Sequence, residues 1–132
     1  MDPARLEAIP LFASLPAPDR ELIAEHAECV EVPDGKQVAT ANEFGYSFFA
    51  IEEGTADVRI DDVNVGRLGP GDFFGEIALL CTGRRTACVV ATSPMTLFSL
   101  FEQDFRLIEA RIPALARELR RAAGERLAAA RA

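Results

Sequence analysis

The apolar residues of this chain change period twice, and that constrains its fold more than any single motif does. In "DRELIAEHAECV", Leu22, Ile23 and His26 stand at helical spacing behind Pro18 and Asp19, which suit a helix start. Together with Leu6, Ile9, Leu11 and Phe12 before the break at "LPAPD", the spacing predicts two short helices over residues 1–29. From residue 30 the period becomes 2. "VEV" alternates, "PDGK" supplies turn residues, and the runs "QVATA", "SFFAIEEG", "TADVRI", "VNVGRL", "TACVVAT" and "MTLFSL" follow between punctuation. After "LFSLFEQDF" helical spacing returns. Short strands at intervals of roughly 8 to 12 residues, bracketed by helices, imply a mainly β fold of the sandwich, jelly-roll or barrel kind with flanking α.

Two stretches are more specific. In "ADVRIDDVNV", Val58, Ile60, Val63 and Val65 alternate with Asp57, Arg59 and Asn64 around Asp61-Asp62, which reads as a hairpin. Toward the C-terminus, Ile108, Ile112, Leu115, Leu119 and Ala122 are spaced four, three, four and three apart, a narrow apolar seam with most of the arginines off it. Pro113 ends or kinks the first helix there and opens a second, and Gly124 weakens the last turns. This seam either packs on the β body or pairs with a second copy as a short coiled coil. Phe48, Phe49, Phe73, Phe74, Phe98 and Phe101 are expected in the core, and His26 is expected to be packed or at the surface without a ligand role.

Size and charge narrow the functions. A chain of 132 residues builds one core without disulfides, so one domain spanning 1–132 is expected: helices over 1–29, the β body over 30–101, closing helices over 102–132. The net charge of −7 opposes nucleic acid and anionic lipid, although residues 102–132 alone carry seven arginines against five acids. No run reaches the ~18 apolar residues of a membrane span and the start lacks a signal peptide's pattern, so a cytoplasmic location is expected. Cys29, Cys81 and Cys88 have no C-x-x-C spacing and His26 is the only histidine, so reduced thiols, no metal site and no cofactor are expected. A metal-dependent jelly-roll enzyme needs more histidines than this. No Ser-His-Asp or Cys-His set can be assembled either, and the chain is read as non-enzymatic.

The chemistry concentrates in "LGPGDFFGEIALLCTGRRTA". Gly69, Pro70 and Gly71 make a tight turn, and Gly75 lets the backbone approach a ligand before Glu76 to Leu80 begin a short helix whose free N–H groups suit an anion. Arg85, nine residues on, can return its guanidinium over that start, with a fork of donors matched to phosphate oxygens. A carboxylate does not bind phosphate, so Glu76 is suited to accept from a neutral hydroxyl such as a ribose 2′-OH. Phosphate donors beside a hydroxyl acceptor describe a sugar phosphate. The alternative is a surface Glu76–Arg85 ion pair in an ordinary turn. Arg84 is either solvated or a second positive charge near the phosphate.

"FGEIALL", a four-residue gap and "RTACV" resemble the phosphate-binding cassette, residues 74–87, of cyclic nucleotide-binding domains. The leading helices, "DG", "SFFAIEEGTADV", "LGPGDFFGE" and the closing helices extend the resemblance over nearly the whole chain. It implies a double-stranded β-helix, a jelly-roll-like β-roll, with N-terminal helices and C-terminal lid helices. It also implies that Phe74 belongs to the binding segment and that Gly75, Ile77 and Ala78 offer amides to a cyclic phosphate. Glu76 would hold the ribose 2′-OH, Arg85 would pair with the phosphate, and Thr86 and Ala87 would line the same wall. cAMP is favoured as ligand and cGMP remains open, because a Thr86 hydroxyl can bond a syn guanine. Leu115, Leu119, Arg120 and Leu127 are candidate lid residues on a last helix whose movement would carry the signal. Partners implied are the cyclic nucleotide and, through the C-terminal helix, a second copy or an output domain; a stand-alone sensor and a piece of a larger regulator or channel both fit. A dimerising scaffold with a vestigial pocket is the alternative function. Two departures stand out: Asn42 replaces a common family glycine before a turn, where it tolerates a left-handed conformation, and "QVATA" is small and polar where large apolar residues are usual.

Overall fold

A computed structural model describes residues 1–40 and 45–131 of the chain; Asn42 and the end of "QVATA" lie outside the described residues. Asp2, whose side chain accepts from the Ala4 N–H at 2.9 Å, opens a 3-10 helix over Pro3–Ala8. Helices α1 (Pro10–Ala13) and α2 (Ala17–His26) follow, each with a proline in its first turn. Three helical pieces therefore stand where the spacing predicts two, because Pro10 restarts the chain as a second short helix. His26, at the end of α2, is half-buried with Nδ1 3.0 Å from Asp104 Oδ1.

Among the described residues eight strands form two antiparallel four-stranded sheets. β1 (Glu28–Val32), β8 (Met95–Phe101), β3 (Ser47–Glu53) and β6 (Phe73–Phe74) make one, in that order. β2 (Gln37–Ala39), β7 (Cys88–Ala91), β4 (Ala56–Ile60) and β5 (Val63–Leu68) make the other. β4 and β5 form the expected hairpin, with Asp61 at φ 52° and Asp62 at φ 62°, the left-handed pair a tight two-residue turn requires. Cys29 is an exposed free thiol. No helix among the described residues is long and apolar enough to cross a membrane.

The first sheet is buried on both faces, which is why "MTLFSLF" and "SFFAIEE" read as almost continuous apolar runs. On one face Ile51, Met95 and Leu97 meet Val32, Ala39, Val89 and Phe74 between the sheets. On the other, Phe48, Ala50, Phe98 and Leu100 meet the helices. Phe48 sits at the centre of that contact, its ring centroid 5.7 Å from Phe105, 5.7 Å from Phe73 and 6.5 Å from Phe12. Helix α3 (Glu102–Arg111) follows β8, and Pro113 opens α4 (Pro113–Arg131). Ile108, Ile112, Leu115, Leu119 and Ala122 are all buried, so the seam closes on the chain's own core. Phe101 departs from its core expectation: it is 54% exposed and faces Tyr46 at 6.4 Å between centroids. It ends β8 on the face of Met95 and Leu97, toward the second sheet, and not on the face of Phe98 and Leu100 that the helices cover.

If Phe48 joins the helices to the sheet, Phe48→Ala should lower unfolding free energy by about 3–5 kcal/mol. Chemical denaturation measures this, and a loss below ~1.5 kcal/mol would show that the helices pack independently of that ring.

Candidate functional site

The site begins where β6 ends. Gly75 has φ 97°, and a Cβ there would stand 2.6 Å from both Ser47 O and Arg85 Nη1, so conformation and space both demand glycine. The chain then makes a helical turn at Glu76–Ile77 that widens into a π-helix over Ala78–Thr82. Gly83, at φ 70°, ends it by returning its N–H to Ala78 O at 2.8 Å. Residues 84–87 lead back into β7. Arg106 of α3 donates to Leu79 O at 2.5 Å and ties the helical layer to this segment.

Three charges meet here. Glu76 is fully buried, and its Oε1 accepts from Arg126 Nη1 of α4 at 2.6 Å. The Arg126 guanidinium lies 4.7 Å from the Phe73 ring centroid. Arg85 donates from Nη2 to Ser47 O at 2.9 Å, with its Cζ 5.8 Å from the centre of the Phe49 ring. Among the described residues two buried side-chain atoms here lack a hydrogen-bond partner, Glu76 Oε2 and Arg85 Nη1. The first is an acceptor and the second a donor. Burial holds the Glu76 carboxyl above the ordinary carboxylate range, with Arg126 and then Arg85 pulling the other way. Burial also lowers the Arg85 guanidinium's pKa, opposed by Glu76. The surface Glu76–Arg85 ion pair is not formed; among the described residues the carboxylate's salt-bridge partner is Arg126.

A cavity of about 490 Å³ opens beside these groups. The structure brings Phe74, Gly75, Glu76, Ile77, Ala78, Arg85, Thr86 and Ala87 together on its wall. Another part of its lining is aliphatic, with Val58, Ile60, Val65, Leu68 and Val89. The candidate lid residues fall elsewhere. Leu115 and Leu119 are buried in the helical core, Arg120 is exposed with Nη2 3.4 Å from Glu109 Oε2, and Leu127 is not on the wall. Helix α4 reaches the cavity through Arg126 and Ala129 instead, because the apolar positions nearer its start are spent on the core. Arg126 is the functional candidate that the spacing argument overlooked. A signal was present: the seam's next step, four residues past Ala122, lands on this arginine, a charge on an otherwise apolar stripe.

The fold that carries these groups has known counterparts. Residues 29–111, more than half of the chain, match the model of the cyclic nucleotide-binding domain. The chain belongs to this family. A cyclic nucleotide-gated potassium channel of Rhizobium etli is 35% identical over 119 residues, which cover 90% of this chain and 33% of the channel. The chain thus spans a third of the length of that relative. The catabolite activator protein of Thermus thermophilus superposes with a TM-score of 0.80 at 28% identity, covering 92% of this chain and 59% of that one. The regulatory domain of Toxoplasma gondii PKA, crystallised with cAMP, gives 0.82 at 23% identity, covering 93% and 48%. The last likeness speaks for the fold alone. Domains of this family are regulatory, not catalytic.

Glu76 makes stability depend on pH in a defined direction. The folded protein holds its proton more tightly than the unfolded chain. Its contribution therefore grows as pH falls from neutrality toward the ordinary 4.5 and is lost as pH rises through the raised value. Wild-type protein should gain melting temperature relative to Glu76→Gln between about pH 8 and pH 5. A pH-independent difference in thermal unfolding would show that the carboxyl titrates normally.

Proposed function

We propose that this chain is a regulatory module that binds a cyclic nucleotide, with cAMP favoured over cGMP, and signals through its C-terminal helix. The observation that carries the reading is the pair of unsatisfied buried atoms. Arg85 Nη1 calls for an anionic acceptor and Glu76 Oε2 for a hydroxyl donor, in one cavity. A ribose cyclic phosphate carries both on adjoining atoms. The amides of Gly75, Ile77 and Ala78 would complete the phosphate contact. The aliphatic part would receive the base. Guanine brings a carbonyl, a ring N–H and an amine into surroundings where the Thr86 hydroxyl is one of few partners, whereas adenine brings fewer polar groups, so cAMP loses less on entry.

Helix α4 is the reading's output element. Arg126 holds Glu76 by Oε1 while Oε2 stays free, so a ribose hydroxyl and the helix would share one carboxylate. A bond from the hydroxyl favours the charged form of Glu76, which in turn strengthens its hold on Arg126; the ligand would tighten a helix already in place. The module acts in the cytoplasm, alone or as part of a larger regulator or channel. The scaffold reading, with the α4 seam joining two copies, finds that seam already buried within one chain.

Calorimetry tests the reading. Wild-type protein should bind cAMP, and Arg85→Ala should lose about 2–4 kcal/mol of it, since removing one partner leaves the other desolvated. 2′-Deoxy-cAMP should lose less, and Arg126→Ala should equalise the two ligands' effects on protease protection of α4. Equal binding by wild type and Arg85→Ala, or no binding by either, would overturn the proposal.

A further inference from the structure

We infer that Gly45 is a positioning residue for the anion contact, holding the Arg85 guanidinium in place before any ligand arrives; this rests on the proposed cyclic nucleotide site. Gly45 lies outside the cassette, two residues before β3, and has no positive φ, so what it supplies is space. A Cβ there would stand 2.4 Å from Ala78 Cβ, 2.9 Å from Arg85 Nε and 3.0 Å from Arg85 Cζ. The Nε–Cζ part of the guanidinium therefore lies close beside Gly45, as its Nη1 lies close beside Gly75.

The same short segment grips Arg85 in two further ways. The Gly45 N–H donates to Gly83 O at 3.2 Å, where the π-helix ends and the chain turns back toward Arg85. Two residues on, Ser47 O takes the Arg85 Nη2 proton at 2.9 Å. One side of the guanidinium is thus held by backbone that continues into β3, a strand buried on both faces, and Nη1 is the donor left over. A flexible arginine loses rotamer freedom when it closes on an anion; a caged one has lost it already, so more of the contact appears as affinity.

Gly45→Ala alone would also strike Ala78, so the decisive comparison is Ala78→Gly against Gly45→Ala/Ala78→Gly, in which only the clash with Arg85 remains. Titrated with cAMP, the double variant should bind about 30-fold or more weaker than Ala78→Gly while melting within a few degrees of it. In that double background Arg85→Ala should cost no more than about threefold further, because the arginine is already displaced. Binding by the double variant within about threefold of Ala78→Gly would overturn the inference and make Gly45 a packing residue only. Should the double variant not unfold cooperatively, the Arg85 Nε–Hε NMR signal of ligand-free wild type decides. A resolved, slowly exchanging signal is expected, and one averaged to the position of a free arginine would overturn the inference. If wild type binds neither cAMP nor cGMP, the proposed function fails, and that signal still judges the cage.

Discussion

A carboxylate with no exposure to water is costly unless something answers its charge, and in this chain the answer comes from fifty residues away. Glu76 meets Arg126, and through that contact the last helix, the cassette and the cavity become one electrostatic unit. The net charge of the three buried or half-buried groups, Glu76, Arg85 and Arg126, is +1, and one donor and one acceptor among them stay open. A site left in that state favours a singly charged anion that also offers a hydroxyl. The same bond that keeps Glu76 ionisable holds down the C-terminal turns of α4, which are otherwise Ala-rich and exposed, while the apolar seam secures the turns nearer Pro113.

The β body matters because it makes this unit rigid where rigidity is needed. β3 contributes Phe48 to the helical core, Ile51 to the core between the sheets, Ser47 O to Arg85 and Phe49 to the face beneath it. Phe49 in turn stacks on Phe74 at 5.0 Å between centroids. One strand, buried on both faces, therefore supports the anion contact and the helices alike. β5 is an edge strand with most of its residues exposed, and Val65 to Leu68 of it line the cavity. Arg106 on Leu79 O adds a second tie between helices and cassette, so a change in the π-helix is felt in α3 directly.

Much of this was legible in the chain. Period-2 runs located the strands, Pro113 marked the joint between α3 and α4, and Asp61-Asp62 marked the hairpin, because each signal is local and survives without tertiary context. The cassette was legible for the same reason: Gly75, Glu76 and Arg85 lie within eleven residues, and their chemistry left two readings, a sugar-phosphate site and a surface ion pair. The helix residues that line the cavity were not. Leu115 and Leu119 have the right character for a lid, but the same character serves a core, and spacing cannot tell which surface a helix meets. Phe101 reads as core for the same reason, yet at the end of its strand it is 54% exposed. The small, polar "QVATA" departs from the usual apolar strand; Ala39 packs between the sheets and lines the cavity, where a larger side chain would reduce its volume.

Sequence alone determined the class of chemistry and the elements that carry it, because residue type and near-neighbour spacing decide what a cassette can bind and which segments form helix or strand. Only the tertiary structure decided that Arg126 answers Glu76, that Gly45 walls in Arg85, and that the helical seam turns inward. Each of these joins residues far apart along the chain, and such distances close only when two sheets and a helical layer have packed around their shared strands.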